Sequence, residues 1–192
     1  SSKSWATAYD FPALTDGNVV KKLMPDGGIA NGQSFVMNLR RDKFSDIRVR
    51  QALSYLFNFE WSRESLFYGQ YARINSFWEN SDLAATGMPS AEELVLLSPL
   101  EGDLPAGVLT KVAVMAPVSG TKPLDRSNLR KANALLDEAG WPVGDDGLRR
   151  NANGNTLKIE IIEDSAAFDR IVLPFVENMK AAGIEAEYDR ID

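Results

Sequence analysis

Carboxylates are the side chains of this chain best suited to acid–base chemistry, because it contains no histidine and no cysteine. Two adjacent acidic pairs, Glu92–Glu93 and Asp145–Asp146, could in principle donate and accept a proton. Sequence neighbours on a helix or turn rarely converge on one substrate atom, so solvated surface is the stronger interpretation. The segment after Asp145 also lacks the alternating oxygen ligands and the distal glutamate of a calcium loop. We therefore expect no catalytic residue, no metal site and no cofactor.

A polar group at the end of a predicted strand is a better candidate for binding. Glu163, Asp164 and Ser165 follow an apolar strand pattern and precede a helix pattern that contains Phe168. Open α/β sheets commonly bind ligands beyond the carboxyl ends of their strands. The acidic pair could attract an amino group of a ligand; equally, Asp164 could cap the helix and interact with the positive end of its dipole. Both interpretations stay open, and all four residues are candidate ligand contacts.

A run of aromatic residues offers a second candidate surface. Aromatic rings give a large contact area with little rotamer entropy, which suits ligands with varied groups. Tyr71 and Trp78 lie outside the predicted helices and are the candidate ligand contacts of this run. Phe67 lies at helical spacing from core residues, where an aromatic side chain more often packs than recognises a ligand.

Hydrophobic spacing predicts a strand followed by two capped helices before these aromatic residues. Phe35–Leu39 is a short apolar run that we expect to be a buried strand. A helix then starts at Ser45 or Asp46, because either side chain can accept a hydrogen bond from a first-turn amide. Asn58 can cap a second helix, which Gly69 is suited to close in a left-handed conformation.

The pattern is less regular on either side of this segment. Val19–Met24 is compatible with an edge strand, and Ser90 begins the capping pattern of a short helix. Four prolines and three glycines break every period in residues 98–126, where we expect a long surface loop or a boundary between two subdomains. Ser127 opens the next helix, which Gly140 ends.

The last third predicts a hairpin that feeds a β-α-β unit. The hairpin turns at Asn153-Gly154-Asn155. The helix that follows contains Pro174, which should bend it, and Gly183 should end it. Ile184–Tyr188 then returns as a strand, and a strand, helix and strand joined this tightly favour a right-handed parallel crossover.

Composition excludes several classes of partner. With 192 residues, 44% of them hydrophobic and 25% charged, the chain has the balance of a globular domain. The formal charge is −6 and no dense basic run could neutralise a series of phosphates, so nucleic acid is a poor candidate partner. No apolar stretch approaches the roughly 20 residues of a membrane span, and the N-terminal segment lacks the features of a signal peptide. We expect no direct membrane insertion.

The best-defined motif links Asn38 to the helix that follows it. It resembles the extracellular solute-binding proteins of family 5, the peptide and nickel receptors of ABC importers, in which a strand ending in Asn precedes F-x-D-x-R-V-R-x-A-L. The matching residues are Asn38, Phe44, Asp46, Arg48, Val49, Arg50, Ala52 and Leu53. The segments YDFPAL, FYGQYARINSFWENSDLAATGMPSAEELVLLSPL and NLRKANALLDEAGW look like the Yej-type oligopeptide-binding branch of that family.

This resemblance implies a fold and a function. Family members are much longer, so residues 1–192 look like a fragment covering most of the second, C-terminal lobe, an α/β lobe with a mixed sheet flanked by helices. The first lobe of the same protein would be its partner. The receptor would capture oligopeptides in the periplasm and deliver them to the membrane subunits of an ABC permease. The alternative is a carboxylate-dependent, glycosidase-like hydrolase domain, which needs two carboxyl groups across a cleft, one with a raised pKa.

The resemblance also implies roles for individual residues. The strand with Ser34, Val36 and Asn38 would edge the cleft between the lobes and hold extended ligands through backbone hydrogen bonds and tolerant pockets. Some family members place an acidic residue where this chain has Val36. Asn38 could instead satisfy only local backbone groups. Arg48 and Arg50 are expected to hold the preceding turn or an interdomain carboxylate rather than the ligand.

Overall fold

Short helices carry most of the regular structure in the computed structural model, which describes residues 2–191. The α-helices are α1 (Ser2–Thr7), α2 (Pro12–Thr15), α3 (Asp42–Ser45), α4 (Ile47–Leu56), α5 (Phe59–Ser65), α6 (Ala91–Leu97), α7 (Arg126–Glu138) and α8 (Asp169–Ala181). The strands are β1 (Lys158–Glu163) and β2 (Glu185–Arg190), and 3₁₀-helices span Ser98–Asp103 and Ala166–Phe168.

Contacts within the described chain divide it into two units. We call residues 2–21, 35–72 and 117–191 the core unit, and residues 22–34 and 73–116 the loop unit. One junction between the units, after residue 116, falls within the irregular stretch 98–126.

The core unit is built on the β1-α8-β2 crossover and on the packed helices α4 and α7. The two strands pair in parallel, from Lys158 opposite Glu185 to Glu163 opposite Arg190. The buried apolar side chains are Val49, Ala52, Leu53, Leu56, Ala132, Leu136, Leu157, Ile159, Val172, Phe175, Val176, Met179, Ala182, Ile184 and Ala186. The α/β class and the parallel crossover are thus confirmed, and the sheet of the described residues consists of this one pair of strands.

Two polar side chains fix the starts of α4 and α5. The Asp46 carboxylate accepts the Arg48 amide at 2.8 Å, and Asn58 Oδ1 accepts the Trp61 amide at 2.9 Å. The Asn58 side-chain amide also donates to two carbonyl oxygens of residues 120–122, at 2.8 and 2.6 Å. One buried side chain therefore caps a helix and anchors a loop that is distant in sequence.

A fully buried arginine connects three parts of the core unit. Arg149 donates to the carbonyl oxygens of Ala182 and Trp141, each at 2.6 Å. It also donates to the side chains of Asp137 at 2.6 Å and Asn133 at 2.9 Å. Because its side chain is only 1% exposed, these acceptors supply the pairing that a buried charge requires.

Polar side chains link the segments of the loop unit to one another. No residue of this unit, all of which the structure describes, is fully buried. The Asn80 side chain donates to the carbonyl oxygens of Asp26 and Gly28 at 2.8 and 2.7 Å. Asn75 Oδ1 accepts the Ala116 amide at 2.9 Å. Side-chain amides therefore replace regular ladders as the link between its segments.

The structure corrects two predicted strands. Phe35–Leu39 belongs to no sheet of the described residues; Phe35 and Met37 pack on the core, whereas Val36 is 90% exposed. Val19–Met24 is exposed and likewise has no strand partner among the described residues. An apolar run predicts a buried segment, but a strand also needs a neighbouring chain to pair with.

Some helix boundaries also differ from the prediction. Asp125, rather than Ser127, caps α7, because its carboxylate accepts a first-turn amide at 2.8 Å and the Gly120 amide at 2.7 Å. Helix α5 ends at Ser65, earlier than predicted, although Gly69 does adopt the left-handed conformation with φ of 72°.

The hairpin and the end of α8 agree with the prediction. Arg150 and Thr156 form an antiparallel bridge on either side of the turn at residues 153–154. Pro174 lies inside α8, and Gly183 follows the helix with φ of 81°.

Candidate functional site

The loop between β1 and α8 gathers the polar residues predicted at the carboxyl end of the strand. Glu163 Oε1 accepts the amides of Asp164 at 3.2 Å and Ser165 at 3.0 Å. Ser165 Oγ accepts the Ala167 amide at 3.4 Å and so caps the 3₁₀-helix. Phe168 packs against the core. Glu163 and Ser165 therefore shape the loop, while the exposed Asp164 carboxylate has no hydrogen-bond partner among the described residues.

Three residues that the sequence analysis did not select complete this edge of the sheet. The Tyr188 hydroxyl donates to Asp169 Oδ1 at 2.6 Å, and Arg190 Nη1 donates to Asp169 Oδ2 at 3.3 Å. The hydrogen bond to Asp169 raises the pKa of Tyr188 to about 12, because it stabilises the protonated phenol beside a negative charge. Tyr188 and Arg190 are two residues apart in β2, so their side chains lie on the same face of the strand. That spacing is the signal that could have identified them.

Asn38 forms a local turn. Its Oδ1 accepts the Arg40 amide at 3.1 Å, and its carbonyl oxygen accepts the Arg41 amide at 3.0 Å. The side chain is exposed, but its acceptor already serves the backbone. This geometry matches the local role that the sequence left open for Asn38.

Residues 35–37, which precede Asn38, have one side anchored and one side open. Phe35 lies 5.0 Å from the Phe175 ring, centroid to centroid, and Met37 packs on the same core. Val36 points away from that core, and its peptide group and those of its two neighbours have no hydrogen-bond partner among the described residues. Ser34, which ends the first segment of the loop unit, is also exposed.

The two aromatic candidates belong to different units. In the core unit, Tyr71 is 49% exposed and its ring centroid lies 5.1 Å from that of Phe67. In the loop unit, Trp78 is also 49% exposed and donates its backbone amide to Ser76 Oγ at 3.2 Å. The neighbouring Phe77 is 97% exposed and is the most accessible aromatic ring of this run.

The arginines of the motif hold the chain on both sides of α4. Arg50 Nη1 donates to two carbonyl oxygens of the preceding turn, that of Phe44 at 2.6 Å and its neighbour at 2.9 Å. Arg48 forms a fork on the Asp46 carboxylate, with the shortest distance 2.6 Å, and donates to the Glu138 carbonyl at 2.7 Å. The hydrogen bonds from Arg48 lower the pKa of Asp46. Both arginines thus act on the protein's own structure.

Two kinds of site are absent from the described part of the chain. Within residues 2–191, no three histidine, cysteine, aspartate or glutamate side chains are grouped so that they could hold a metal ion. No helix in the same range has the length and the apolar character needed to cross a membrane.

Sequence comparison relates the chain to bacterial solute-binding proteins. Residues 2–192 match the profile of the bacterial extracellular solute-binding proteins, family 5 Middle. The probable peptide-binding protein YejA of Agrobacterium fabrum is 39% identical over 194 residues, an alignment that covers 100% of this chain and 31% of that protein. The chain therefore spans less than a third of the length of this relative.

Two solved structures that hold bound ligands have a similar fold. The oligopeptide-binding protein AppA of Bacillus subtilis, in complex with a nonapeptide, has a TM-score of 0.52 and 20% identity over 81% of this chain and 25% of its own. NikZ of Campylobacter jejuni, in complex with nickel and L-histidine, has a TM-score of 0.53 and 19% identity over 80% of this chain and 24% of its own. At this level of identity the two structures establish the periplasmic-binding-protein-like fold of the chain.

Proposed function

Because this chain belongs to the family 5 bacterial extracellular solute-binding proteins, we propose that it supplies part of the peptide-binding wall of a periplasmic receptor. The receptor captures oligopeptides and delivers them to the membrane subunits of an ABC permease. The chain forms most of the second lobe, and the remaining part of the longer protein supplies the opposite wall. The peptide complex of the similar B. subtilis protein and the name of the A. fabrum relative support this class of ligand.

The observation that carries the proposal is the open side of residues 35–37. Phe35 and Met37 fix the segment against the core, so its backbone cannot collapse elsewhere, while the Val36 side chain faces away. The peptide groups of these residues have no partner among the described residues, which leaves their donors and acceptors free for an extended peptide. Strand addition of this kind binds the main chain of a ligand and tolerates different side chains.

The loop after β1 supports a role in holding the charged end of the same ligand. Asp164 is exposed, and the carboxylate of Glu163 is already used by two backbone amides. We therefore assign contact with a peptide amino group to Asp164 and a supporting role to Glu163 and Ser165. Within the core unit, Val36 and Tyr71 are assigned to side-chain contacts and Asn38 to the polar border of the wall. Ser34 and Trp78 belong to the loop unit and are proposed as ligand contacts of that unit by itself.

We further propose that the protein carries out no chemistry on its ligand. A carboxylate-dependent hydrolase needs a protonated acid with a raised pKa. The shifted carboxyl pKa values of this chain move the other way: hydrogen bonds lower those of Asp46, Asp125 and Asp146. In the full-length protein, a defined pentapeptide should therefore be recovered intact after long incubation, as measured by mass spectrometry.

Calorimetry of the full-length protein with a defined pentapeptide, pentaalanine, tests the strand-addition wall. Val36→Pro removes one backbone donor and should weaken binding at least about tenfold, since a lost backbone hydrogen bond leaves a ligand carbonyl unpaired. Val36→Ala keeps the backbone donor and serves as the matched control, and it should weaken binding less than Val36→Pro, because only a side-chain contact is lost. Unchanged affinity in Val36→Pro would remove the segment from the binding wall.

The isolated chain tests the need for a second wall. A single wall leaves most of the ligand in water, so we expect weak or undetectable pentaalanine binding by residues 1–192 alone. Tight binding by this fragment would contradict the two-lobed receptor.

A further inference from the structure

The tripeptide Ala-Asn-Gly occurs twice in this chain, at residues 30–32 and 152–154. Asn-Gly is the sequence in which an asparagine side chain is least hindered, because glycine has no Cβ to shield its own amide nitrogen. The two copies share the same preceding residue and differ in their structure. We propose that Asn31 is a site of spontaneous deamidation and that the fold protects Asn153 from the same reaction.

The reaction uses only the chain and water. The backbone nitrogen of Gly32 attacks Cγ of Asn31, a C–N bond forms, and the bond from Cγ to Nδ2 breaks. The leaving nitrogen takes up the backbone proton and departs as ammonia, which leaves a five-membered succinimide. Water then opens the ring at one of its two carbonyl carbons and gives either aspartate or isoaspartate. Nothing is oxidised or reduced, and the net change is the exchange of an amide for a carboxylate.

At Asn153 the attacking nitrogen is occupied. The Gly154 amide donates to the Asn151 carbonyl at 2.9 Å. Asn151 Oδ1 accepts the amides of Asn153 and Asn155, each at 3.0 Å. Arg150 Nη1 donates to the Gly154 carbonyl at 2.7 Å. Attack on Asn153 therefore requires this turn to open first, and the population of the open turn limits the rate.

At Asn31 the attacking nitrogen is available. Asn31 and Gly32 are exposed and lie outside any helix, strand or hydrogen-bonded turn. Among the described residues, neither the Gly32 amide nor the Asn31 side chain has a hydrogen-bond partner. The nearest backbone restraint is the hydrogen bond from the Ala30 amide to the Glu79 carbonyl at 2.9 Å, which precedes the reacting pair. The reaction at Asn31 thus needs no local unfolding.

The product would alter the approach to the proposed binding wall. Either product adds a negative charge to a chain whose formal charge is −6. Isoaspartate also places an additional methylene in the main chain, three residues before Ser34. The modification would therefore change the length and charge of the extended segment that leads into residues 35–37.

Peptide mapping by mass spectrometry tests the proposal on the whole chain kept in mildly alkaline buffer at physiological temperature. Conversion at each site is measured for the folded chain and for the same chain in denaturant. We expect the folded-to-unfolded ratio of rates to be close to one at Asn31 and lower at Asn153 by about tenfold or more. The mass change separates deamidation from isomerisation of Asp-Gly pairs, which leaves the mass unchanged.

Two substitutions locate the cause. Gly32→Ala should slow conversion at Asn31 and leave Asn153 unchanged. Asn151→Ala removes the acceptor that fixes the turn and should speed conversion at Asn153 without an effect on Asn31. Equal protection of the two sites in the folded chain, or faster conversion at Asn153, would overturn the proposal, as would the absence of conversion at Asn31.

Discussion

The core unit and the loop unit of this protein are stabilised by different interactions. The core unit buries apolar side chains from α4, α7, α8 and both strands. The loop unit has no fully buried residue and exposes large apolar side chains such as Phe77 at 97% and Val114 at 85%. Its segments are instead connected by single hydrogen bonds, which include those of the Asn75 and Asn80 side chains to backbone groups and that of the Ala30 amide to the Glu79 carbonyl.

The difference has consequences for how each unit responds to change. Apolar burial contributes about 25 cal/mol for each Å² and does not depend on direction. A hydrogen bond contributes about 1 kcal/mol net and only while its geometry is kept. We therefore expect the core unit to unfold cooperatively and the loop unit to open locally at a lower free energy. Matched substitutions in the two units test this contrast.

The largest loss should follow from Arg149→Met. The substitution leaves the carbonyl oxygens of Ala182 and Trp141 without their buried donor, and we expect it to lower the free energy of unfolding by about 3 kcal/mol or more. Urea unfolding followed by circular dichroism measures the change. Asn80→Ala in the loop unit removes two hydrogen bonds near solvent and should cost less. A loss below about 1 kcal/mol for Arg149→Met would contradict the contrast between the units.

Gly183→Ala should have the next largest effect. Gly183 has φ of 81°, and a Cβ at this position would lie 2.8 Å from the Gly147 carbonyl oxygen, which belongs to the backbone and cannot rotate away. The left-handed conformation alone costs a residue with a Cβ about 1–2 kcal/mol, so we expect a total loss of about 2 kcal/mol or more. In the loop unit, a Cβ at Gly102 would meet nothing within 4 Å. Gly102→Ala should leave the urea midpoint unchanged.

The core unit can be predicted from the sequence better than the loop unit, because the core unit is stabilised by apolar burial and the loop unit by single hydrogen bonds. Helical spacing of apolar residues identifies a buried face, and α4, α7 and α8 were found in this way. The start of α7 was misplaced at Ser127, because Asp125 and Ser127 are both competent caps and only the structure shows that the Gly120 amide also reaches Asp125. Arg149 carries no sequence signal of burial, since arginine is ordinarily a surface residue.

Only part of the candidate site can be predicted from the sequence, because local patterns do not show which distant segments meet. Phe35–Leu39 is an apolar run of strand length, and Phe35 and Met37 do face the core, but no local pattern states whether a partner strand exists. The loop at Glu163 was located from its place after a strand, whereas Asp169 was overlooked because its link to Tyr188 joins residues from two elements.

Removal of the side-chain caps of α7 and α6 should lower stability less than the two substitutions above, and the effect should differ between the units. Asp125→Ala should cost about 1 kcal/mol in global unfolding, because α7 packs on the core. Ser90→Ala removes the capping box of α6 in the loop unit. We expect faster hydrogen exchange in α6 and no change in the global transition. A global loss from Ser90→Ala equal to that from Asp125→Ala would show that the units unfold together.

The cost of Asp125→Ala should also depend on pH. Hydrogen bonds from the amides of Asn128 and Gly120 lower the pKa of Asp125 below its ordinary value of 3.8. A carboxyl group with a depressed pKa in the folded state adds stability above its unfolded pKa and loses it as the pH falls through the folded pKa. The difference between the parent and Asp125→Ala should therefore be complete at neutral pH and shrink as the pH falls below 3.8. A difference that stays constant with pH would exclude the charged cap as its source.

The smallest effect concerns Tyr188, whose ionisation reports on the core unit alone because none of the chain's 5 tyrosines lies in the loop unit. The hydrogen bond to Asp169 raises the pKa of Tyr188 to about 12. Phenolate absorbance of Asp169→Asn should show this pKa falling towards its ordinary value of 10.0, since the neutral amide favours the protonated phenol less than the carboxylate does. A raised folded pKa means that the added stability is present below pH 10 and is lost as the pH rises through about 12. Tyr188→Phe is the control, because it should remove this titration and leave the other four tyrosines unchanged. If the pKa of Tyr188 is the same in Asp169→Asn as in the parent, the hydrogen bond between α8 and β2 does not form in solution. The carboxyl edge of the sheet is then held as loosely as the loop unit.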